Sequence, residues 1–448
     1  MSEVSARIDL PPVRSGRPPG PRGLRLVRTL LDYRRNNLPT IEKLAREFGD
    51  IAYMPFPGGG GFVVSHPDYI QHILIRNSDN YRKTSATHWV RHFFGNAMQI
   101  NNGEYARNMR RIIAPAFHGE GLARAYAELI VDESVAAIRG WKPGPRPGIT
   151  QELTELVLDV IVRIFFGTEP GAETRRVGAL FVAALPPAGA ILPRWIRGSR
   201  SGRYVAAAAA LTAEVMARIA ARRRDVNGGT DFLSMLVRAG KDGQQLNDQQ
   251  IRDEIVAYAL AGYSAATALN QILRLVAENP HADTRLAAEL ETVIGAREPR
   301  MQDLPALDYL GSVVKEALRL CPPAGMMFRR AAADDVIGGW PIPAGARMFL
   351  SSWVVQRDRR FFPDPLTFKP ERWTPEFERA LPMCAYFPFG RGPRACIGGA
   401  MGELILQLIV ATILRRHRLE ARVTLRPDQD EWPAILAAGG IQVDVHPR

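Results

Sequence analysis

The chain has 448 residues, 46% of them hydrophobic and 23% charged, enough apolar material for a large core and too much for a disordered or fibrous protein. A net charge of +12 suits an acidic protein partner; the basic residues are dispersed and the densest run, Arg222 to Arg224, has no interleaved aromatics, which argues against nucleic acid. Three cysteines, Cys321, Cys384 and Cys396, are too few for a disulfide framework or a zinc site, leaving room for one of them to be chemically special.

Met1 to Leu10 carries Glu3, Arg7 and Asp9 without an apolar core, so it does not read as a secretory signal. The longest strongly apolar run, Leu404 to Leu414, is shorter than the ~20 residues needed to span a bilayer. The expectation is a cytoplasmic protein without a transmembrane segment. Residues 1–23 form a Pro/Gly-rich leader, expected to run extended from Pro11 to Gly23, and 24–448 read as one catalytic domain. A hairpin is expected from Ile51 to Met54 and Phe62 to Ser65, around a Pro/Gly turn ending at Gly61. No Lys-Ser/Thr follows those glycines, so they read as a turn and not as a phosphate cradle.

From Pro67 to His281 the spacing of apolar residues is helical, with breaks at Trp141 to Gly148, Pro186 to Gly202 and Val226 to Thr230. Asn247 and Gln250 form a capping box that opens a long helix running to Asn279-Pro280. A further helix starts near Leu307 and stops before Pro322. Strand signals return from Gly338 to Val355, with the intervening Gly-Gly-Trp-Pro-Ile-Pro-Ala-Gly as the turn. A last helix is expected from Gly398 to about His417, then short strands. The fold class is mainly α with small β-sheets.

Chemistry concentrates in Phe389-Gly390-Arg391-Gly392-Pro393-Arg394-Ala395-Cys396-Ile397-Gly398. A chain of this composition would carry the pattern by chance only roughly once in a hundred thousand sequences. A thiolate ligand needs backbone N–H groups at a helix start, glycines that let a loop approach a flat cofactor, and a cation for an acidic edge. Cys321 and Cys384, which lack that setting, read as inert buried thiols. Separately, Glu316 and Arg319 share one helix face at i, i+3 among Val313, Val314, Ala317, Leu318 and Leu320, which argues for a buried pair needing a further partner.

The Cys396 segment resembles the haem-binding loop of the cytochrome P-450 family, a class with a Cys-thiolate haem ligand. The resemblance extends from Pro18-Pro-Gly-Pro-Arg-Gly23 to the end of the chain. It implies a cytochrome P-450 fold with a long central helix over the haem and a Cys loop before the last long helix. It also implies a soluble bacterial-type member with heme b, and Cys396 as the iron ligand. Phe389, Gly390, Gly392, Arg394 and Gly398 would form the cofactor loop. Arg372, in Pro370-Glu-Arg-Trp373, is similar to the arginine that completes a structural triad with Glu316 and Arg319.

Gly103 to Phe117 is similar to the helix that meets a haem propionate through Arg110, except that Ala106 replaces the usual Trp or His, with neighbouring Tyr105 as a substitute. Arg329 falls where the family places another propionate arginine, with adjacent Arg330 as the alternative; Ala324, Met326 and Met327 fall among pocket-lining positions. His88 and His92 stand at a metal-gripping i, i+4 spacing, but no Glu or third ligand accompanies them. By resemblance that stretch covers the substrate cavity, and His88 is assigned to its wall.

Ala261-Gly262-Tyr263-Ser264-Ala265-Ala266-Thr267 resembles the oxygen-binding kink, where an acid-alcohol pair ordinarily follows Ala-Gly. Read directly, Ser264 takes the acid position and Ala265 the alcohol position. Measured back from Asn279-Pro280, the segment is one residue short, so that Tyr263 takes the acid's place and Ser264 the alcohol's. Either way the carboxylate is missing. Proton delivery would fall to Ser264, to Thr267 one turn on, or to the substrate.

The resemblance implies a monooxygenase that oxidises an apolar small molecule, a terpenoid or polyketide intermediate of secondary metabolism, with dioxygen. Electrons would come from a separate ferredoxin or flavodoxin and an NAD(P)H-dependent reductase, docking on basic residues such as Arg111 and Arg391. The altered acid-alcohol pair keeps a peroxide-using or isomerase-like enzyme open as the alternative, and a haem sensor or carrier as a lesser one. No Gly-x-Ser-x-Gly elbow, His-Glu-x-x-His or Walker loop supports a hydrolase, zinc protease or NTPase.

Overall fold

The computed structural model describes residues 14–55, 60–84, 94–118, 120–183, 200–225, 229–241, 244–424 and 440–448. It is mainly helical with small sheets. The chain divides into two compact units interleaved in sequence: one holds residues up to Thr84, Ala324–Pro365 and Leu381–Ala395, the other Ser85–Pro323, Leu366–Ala380 and Cys396–Arg448. No helix among the described residues is long and apolar enough to cross a membrane.

Residues 1–13 of the expected leader lie outside the described residues; from Arg14 the chain bends at Ser15-Gly16 and runs without helix or strand to Arg22. Pro19 O accepts from the Tyr53 N–H at 2.9 Å, and Gly20 lies so close to Tyr53 that a Cβ would overlap the Tyr53 carbonyl. Helices α1 (Gly23–Arg35) and α2 (Asn37–Phe48) follow. Strands β1 (Ile51–Met54) and β2 (Gly61–Val64) form the expected hairpin, with Ile51 opposite Val64. Most of its turn lies outside the described residues. They join β3 (Tyr81–Arg82), β4 (Met327–Ala331) and β5 (Arg347–Leu350) in a five-stranded sheet of order β1-β2-β5-β4-β3. β2 and β5 are parallel; the other pairs are antiparallel.

The region from Gly338 to Val355 differs from its sequence reading. Trp340–Ile342 is not turn but strand, paired with Asp335–Ile337 around a tight Gly338-Gly339 turn in which both residues have positive φ. Ser352–Val355 is a helical turn, because the Ser351 hydroxyl accepts from the Val354 N–H at 3.2 Å and caps it. β-branched residues favour strands only where no such local cap competes.

In the second unit, α3 (Gly103–Ile113), α4 (Ile149–Phe166), α5 (Asp248–Ala277), α6 (Asp308–Leu320) and α7 (Gly399–Arg416) carry the functional residues. The Asn247–Gln250 capping box is present with both reciprocal bonds, at 2.9 and 3.0 Å. α4 and α5 are buried along most of their length and pack together. The break expected at Trp141 to Gly148 contains a two-residue strand, Gly144–Pro145, that pairs with Val443–Pro447, itself antiparallel to His417–Ala421. The Pro186 to Gly202 break lies mostly outside the described residues, and helix is already present at Arg200.

Candidate functional site

In the first unit the loop ahead of Cys396 is built from two glycine turns. Gly390 (φ 70°) and Gly392 (φ 74°) adopt left-handed conformations, and a Cβ on Gly392 would overlap the Leu74 carbonyl. Gln356 anchors the start, its Oε1 accepting from the Phe387 N–H at 3.0 Å; the Ala395 N–H closes on Gly392 O at 3.0 Å. Phe389 and Arg394 are half-buried. Strand alternation separates the two adjacent arginines of β4: Arg329 is buried, whereas Arg330 is exposed and donates to Gly345 O.

Burial, and then the Arg394 charge, lower the Arg329 pKa to about 10. Among the described residues no carboxylate pairs with Arg329. A desolvated guanidinium with a second one nearby is a setting that an anion relieves, which is what the carboxylates of a haem supply. Met326 and Met327 are half-buried, packing against the two apolar clusters of this unit. Ala324 is exposed and its carbonyl accepts from the Ser352 hydroxyl at 3.0 Å.

In the second unit Cys396 is exposed and unbonded to another cysteine, three residues before α7. Its approach to the helix N-terminus favours the thiolate. Gly398 is the N-cap of α7, and a Cβ there would touch Phe117 at 3.5 Å. Cys321 is buried, and burial pushes the Cys384 thiol up to about 11. Cys321 accepts from Arg274 Nη2 at 3.5 Å, but neither cysteine lies in the glycine-rich loop ahead of α7.

Arg110 and Cys396 both act on Tyr258 of α5. Burial first, and then Glu254 and Cys396, hold its phenol well above the ordinary value, against Arg110. Glu254 is fully buried and accepts from the Met98 N–H at 2.6 Å, while neighbouring Asp253 accepts from the Asn96 N–H at 2.6 Å. Sequence reading passed over this acidic pair. Two consecutive carboxylates inside a heavily apolar helix were the available signal, because such groups are buried only with partners. Ala106 is buried at 2% exposure, and burial followed by Glu254 raises the Tyr105 phenol. Tyr105 therefore sits in the same neighbourhood as Arg110.

α5 runs unbroken through Ala261 and Gly262. Gly262 is buried, and a Cβ would overlap Ile161 of α4. Tyr263 is half-buried. Ser264 is exposed, between the half-buried Tyr263 and Ala265, while Gly262, Ala266 and Thr267 are buried. Thr267, 6% exposed, donates its hydroxyl to Tyr263 O at 3.1 Å. His88 and His92 lie outside the described residues, as does any account of the wall they would form.

Glu316, Arg319 and Arg372 come together. Arg319 Nε and Nη2 donate to Glu316 at 2.9 Å each, and Arg372 Nε donates to Oε1 at 2.9 Å. The carboxylate also accepts from the Lys369 N–H at 3.0 Å and from Trp373 Nε1 at 2.9 Å. Both arginines reach Thr367 O. Trp373 and the Lys369 backbone were not foreseen, since neither has a charge to advertise the contact.

A mainly helical fold with small sheets, carrying a glycine- and arginine-rich cysteine loop directly before its last long helix, is that of the haem-thiolate oxygenases. A family model described as Cytochrome P450 matches residues 18–444. The chain is 32% identical over 383 residues to a cyclooctat-9-en-7-ol 5-monooxygenase of Streptomyces melanosporofaciens, covering 83% of each chain. It is 29% identical to a pentalenene oxygenase of Streptomyces avermitilis, covering 87% of each. A solved cyanobacterial CYP120A1 with retinoic acid bound superposes with a TM-score of 0.84 at 23% identity, covering 98% of this chain and all of that one. The chain belongs to the cytochrome P450 family. It is a cytochrome P450 monooxygenase with haem b, bound through a cysteine thiolate, as its cofactor, and enzymes of this kind use an organic substrate, dioxygen and redox partners.

Proposed function

We propose that this enzyme oxygenates a cyclic terpenoid, taking electrons from a separate ferredoxin or flavodoxin reduced by an NAD(P)H-dependent reductase. The observation that carries the substrate class is the similarity, over most of the chain, to the cyclooctat-9-en-7-ol 5-monooxygenase and the pentalenene oxygenase, both of which act on terpenoid intermediates. The fold alone would host other substrates equally well.

When bound, the haem would supply the redox-active iron for dioxygen chemistry. Cys396 would provide the thiolate ligand, stabilised by the N-terminal end of α7. Arg329 and Arg394 would hold a haem carboxylate, and burial of Arg329 would make that pairing strong because little water competes; by the resemblance, Arg110 would also meet a carboxylate. Ser264, exposed although Gly262 and Ala266 beside it are buried, would pass protons from its Oγ through ordered water. Thr267 is less suited to that role because its hydroxyl proton is committed to the Tyr263 carbonyl. By the resemblance, Tyr263, half-buried on α5, would present its ring to the substrate.

The test is a titration of the holoenzyme with cyclic sesquiterpenes, diterpene alcohols, macrolactones and fatty acids, read by the spin-state shift of the haem spectrum. Turnover with NADPH, ferredoxin and reductase follows. A shift and a singly oxygenated product with a cyclic terpene are expected; a shift and turnover confined to macrolactones or fatty acids overturns the assignment.

A further inference from the structure

Seven large hydrophobic side chains are exposed among the described residues, and three of them share one short helix: Leu24 at 89%, Val27 at 55% and Leu31 at 53% exposure. The other four, Phe328, Leu366, Met383 and Val423, are scattered along the chain. At 3.6 residues per turn, positions i, i+3 and i+7 fall in a single stripe, so α1 presents a continuous aliphatic ridge. Its opposite face is already used: Leu30 and Tyr33 pack on the cluster formed by Ile41, Leu44, Val63 and Trp353. Packing among the described residues of the unit therefore does not account for the ridge.

Charge is arranged around it. Between residues 22 and 35 there are five arginines against one aspartate. Arg28 and Arg35 border the ridge on one side and Arg34 on the other, by the same helical geometry, with Arg22 just ahead of the helix. These four are exposed, and none forms an ion pair among the described residues; only Arg25 is committed, to Glu47.

We propose that α1 docks on an anionic lipid surface, with Leu24, Val27 and Leu31 entering the headgroup–acyl boundary and Arg22, Arg28, Arg34 and Arg35 meeting lipid phosphates. Aliphatic residues along one line with long cationic side chains on both flanks is the pattern of a helix lying in a membrane interface, because guanidinium groups reach back to the phosphates while their stems stay in the apolar layer. A second copy of the chain is a poor occupant: a two-fold contact along this ridge would bring the same arginines face to face. The proposal is independent of the substrate assignment.

Flotation of the full-length holoenzyme with vesicles of equal parts phosphatidylglycerol and phosphatidylcholine, against vesicles of phosphatidylcholine alone, tests it. Binding to the anionic vesicles that weakens with added salt is expected. A Leu24→Ser, Val27→Ser, Leu31→Ser triple variant should lose binding by about tenfold or more, since the ridge supplies the buried apolar area. An Arg28→Gln, Arg35→Gln variant should lose the preference for anionic lipid. Both should keep the wild-type carbon monoxide spectrum, which separates lost docking from lost folding. Absence of vesicle binding by the wild type, or equal binding by the triple variant, overturns the proposal. So does a wild-type dimer in light scattering that the triple variant abolishes while vesicle binding is unchanged.

Discussion

Trp373 donates its indole N–H to Oε2 of Glu316, the same carboxylate oxygen that takes Nε of Arg319, each at 2.9 Å. With Arg372, a second bond from Arg319 and the Lys369 N–H on Oε1, the fully buried carboxylate receives five hydrogen bonds. That number explains how an ion can sit at zero exposure: each lone pair lost to water is replaced. Replacing Glu316 with Gln leaves two guanidinium groups facing a neutral amide, and a loss of about 3–5 kcal/mol is expected in urea unfolding. Trp373→Phe removes one donor of five and should cost only about 1–2 kcal/mol. A Glu316→Gln protein as stable as wild type would show that the network contributes nothing.

Cys396→Ser is expected to abolish the red-shifted Soret band that thiolate-ligated ferrous haem gives with carbon monoxide. Cys321→Ser and Cys384→Ser should keep it, since both thiols are buried. Survival of the band in Cys396→Ser, or its loss in Cys321→Ser with haem still bound, assigns the ligand elsewhere.

Ser264→Ala should uncouple turnover, diverting reducing equivalents to hydrogen peroxide while haem loading and substrate affinity stay intact. Thr267→Val should leave coupling near wild type, because the Thr267 hydroxyl donates to a helix carbonyl. The ratio of peroxide formed to NADPH consumed measures both. Equal coupling in Ser264→Ala and wild type would place proton delivery on the substrate or on ordered water alone.

Gly262→Val should destabilise the fold by about 1–3 kcal/mol, the range for overpacking a close contact. The added side chain must displace Ile161 of α4. Pairing it with Ile161→Ala should recover part of the loss, and a double-mutant cycle reads that coupling. Additive effects would mean that the α4–α5 approach is not limited by these two residues.

Burial, then Glu133 and Glu155, push the Asp159 carboxyl up to about 6, against Arg175 and Arg163. An unfolded Asp titrates near ~3.9, so between roughly pH 4 and 6 the folded chain holds the proton that the unfolded chain has released. Stability contributed by this group therefore falls as pH rises through that window. Asp159→Asn should flatten the pH dependence of the urea midpoint there and be more stable than wild type at neutral pH. A midpoint that changes with pH in parallel for the two proteins contradicts it.

Much of this protein is legible in its sequence because the relevant signals are local. The α5 cap needs only Asn247 and Gln250 three residues apart, and the Glu316–Arg319 pair needs only one helix face. The cysteine loop is legible for the same reason: its glycines and arginines lie within ten consecutive residues. What the tertiary structure decided depends on partners far along the chain. Arg329 and Arg330 are equivalent as letters, and only the facing of β4 buries one and exposes the other. Gly262 looks like part of a small-residue run until α4 brings Ile161 against it. Asp253 and Glu254 become intelligible once the backbone of residues 96–98, some 156 positions away, supplies their donors. Ser264 and Thr267 are both hydroxyls one turn apart; one is exposed and the other is buried and closes on the Tyr263 carbonyl. Burial and long-range hydrogen bonding are properties of the assembled chain, and they are what distinguish these residues from one another.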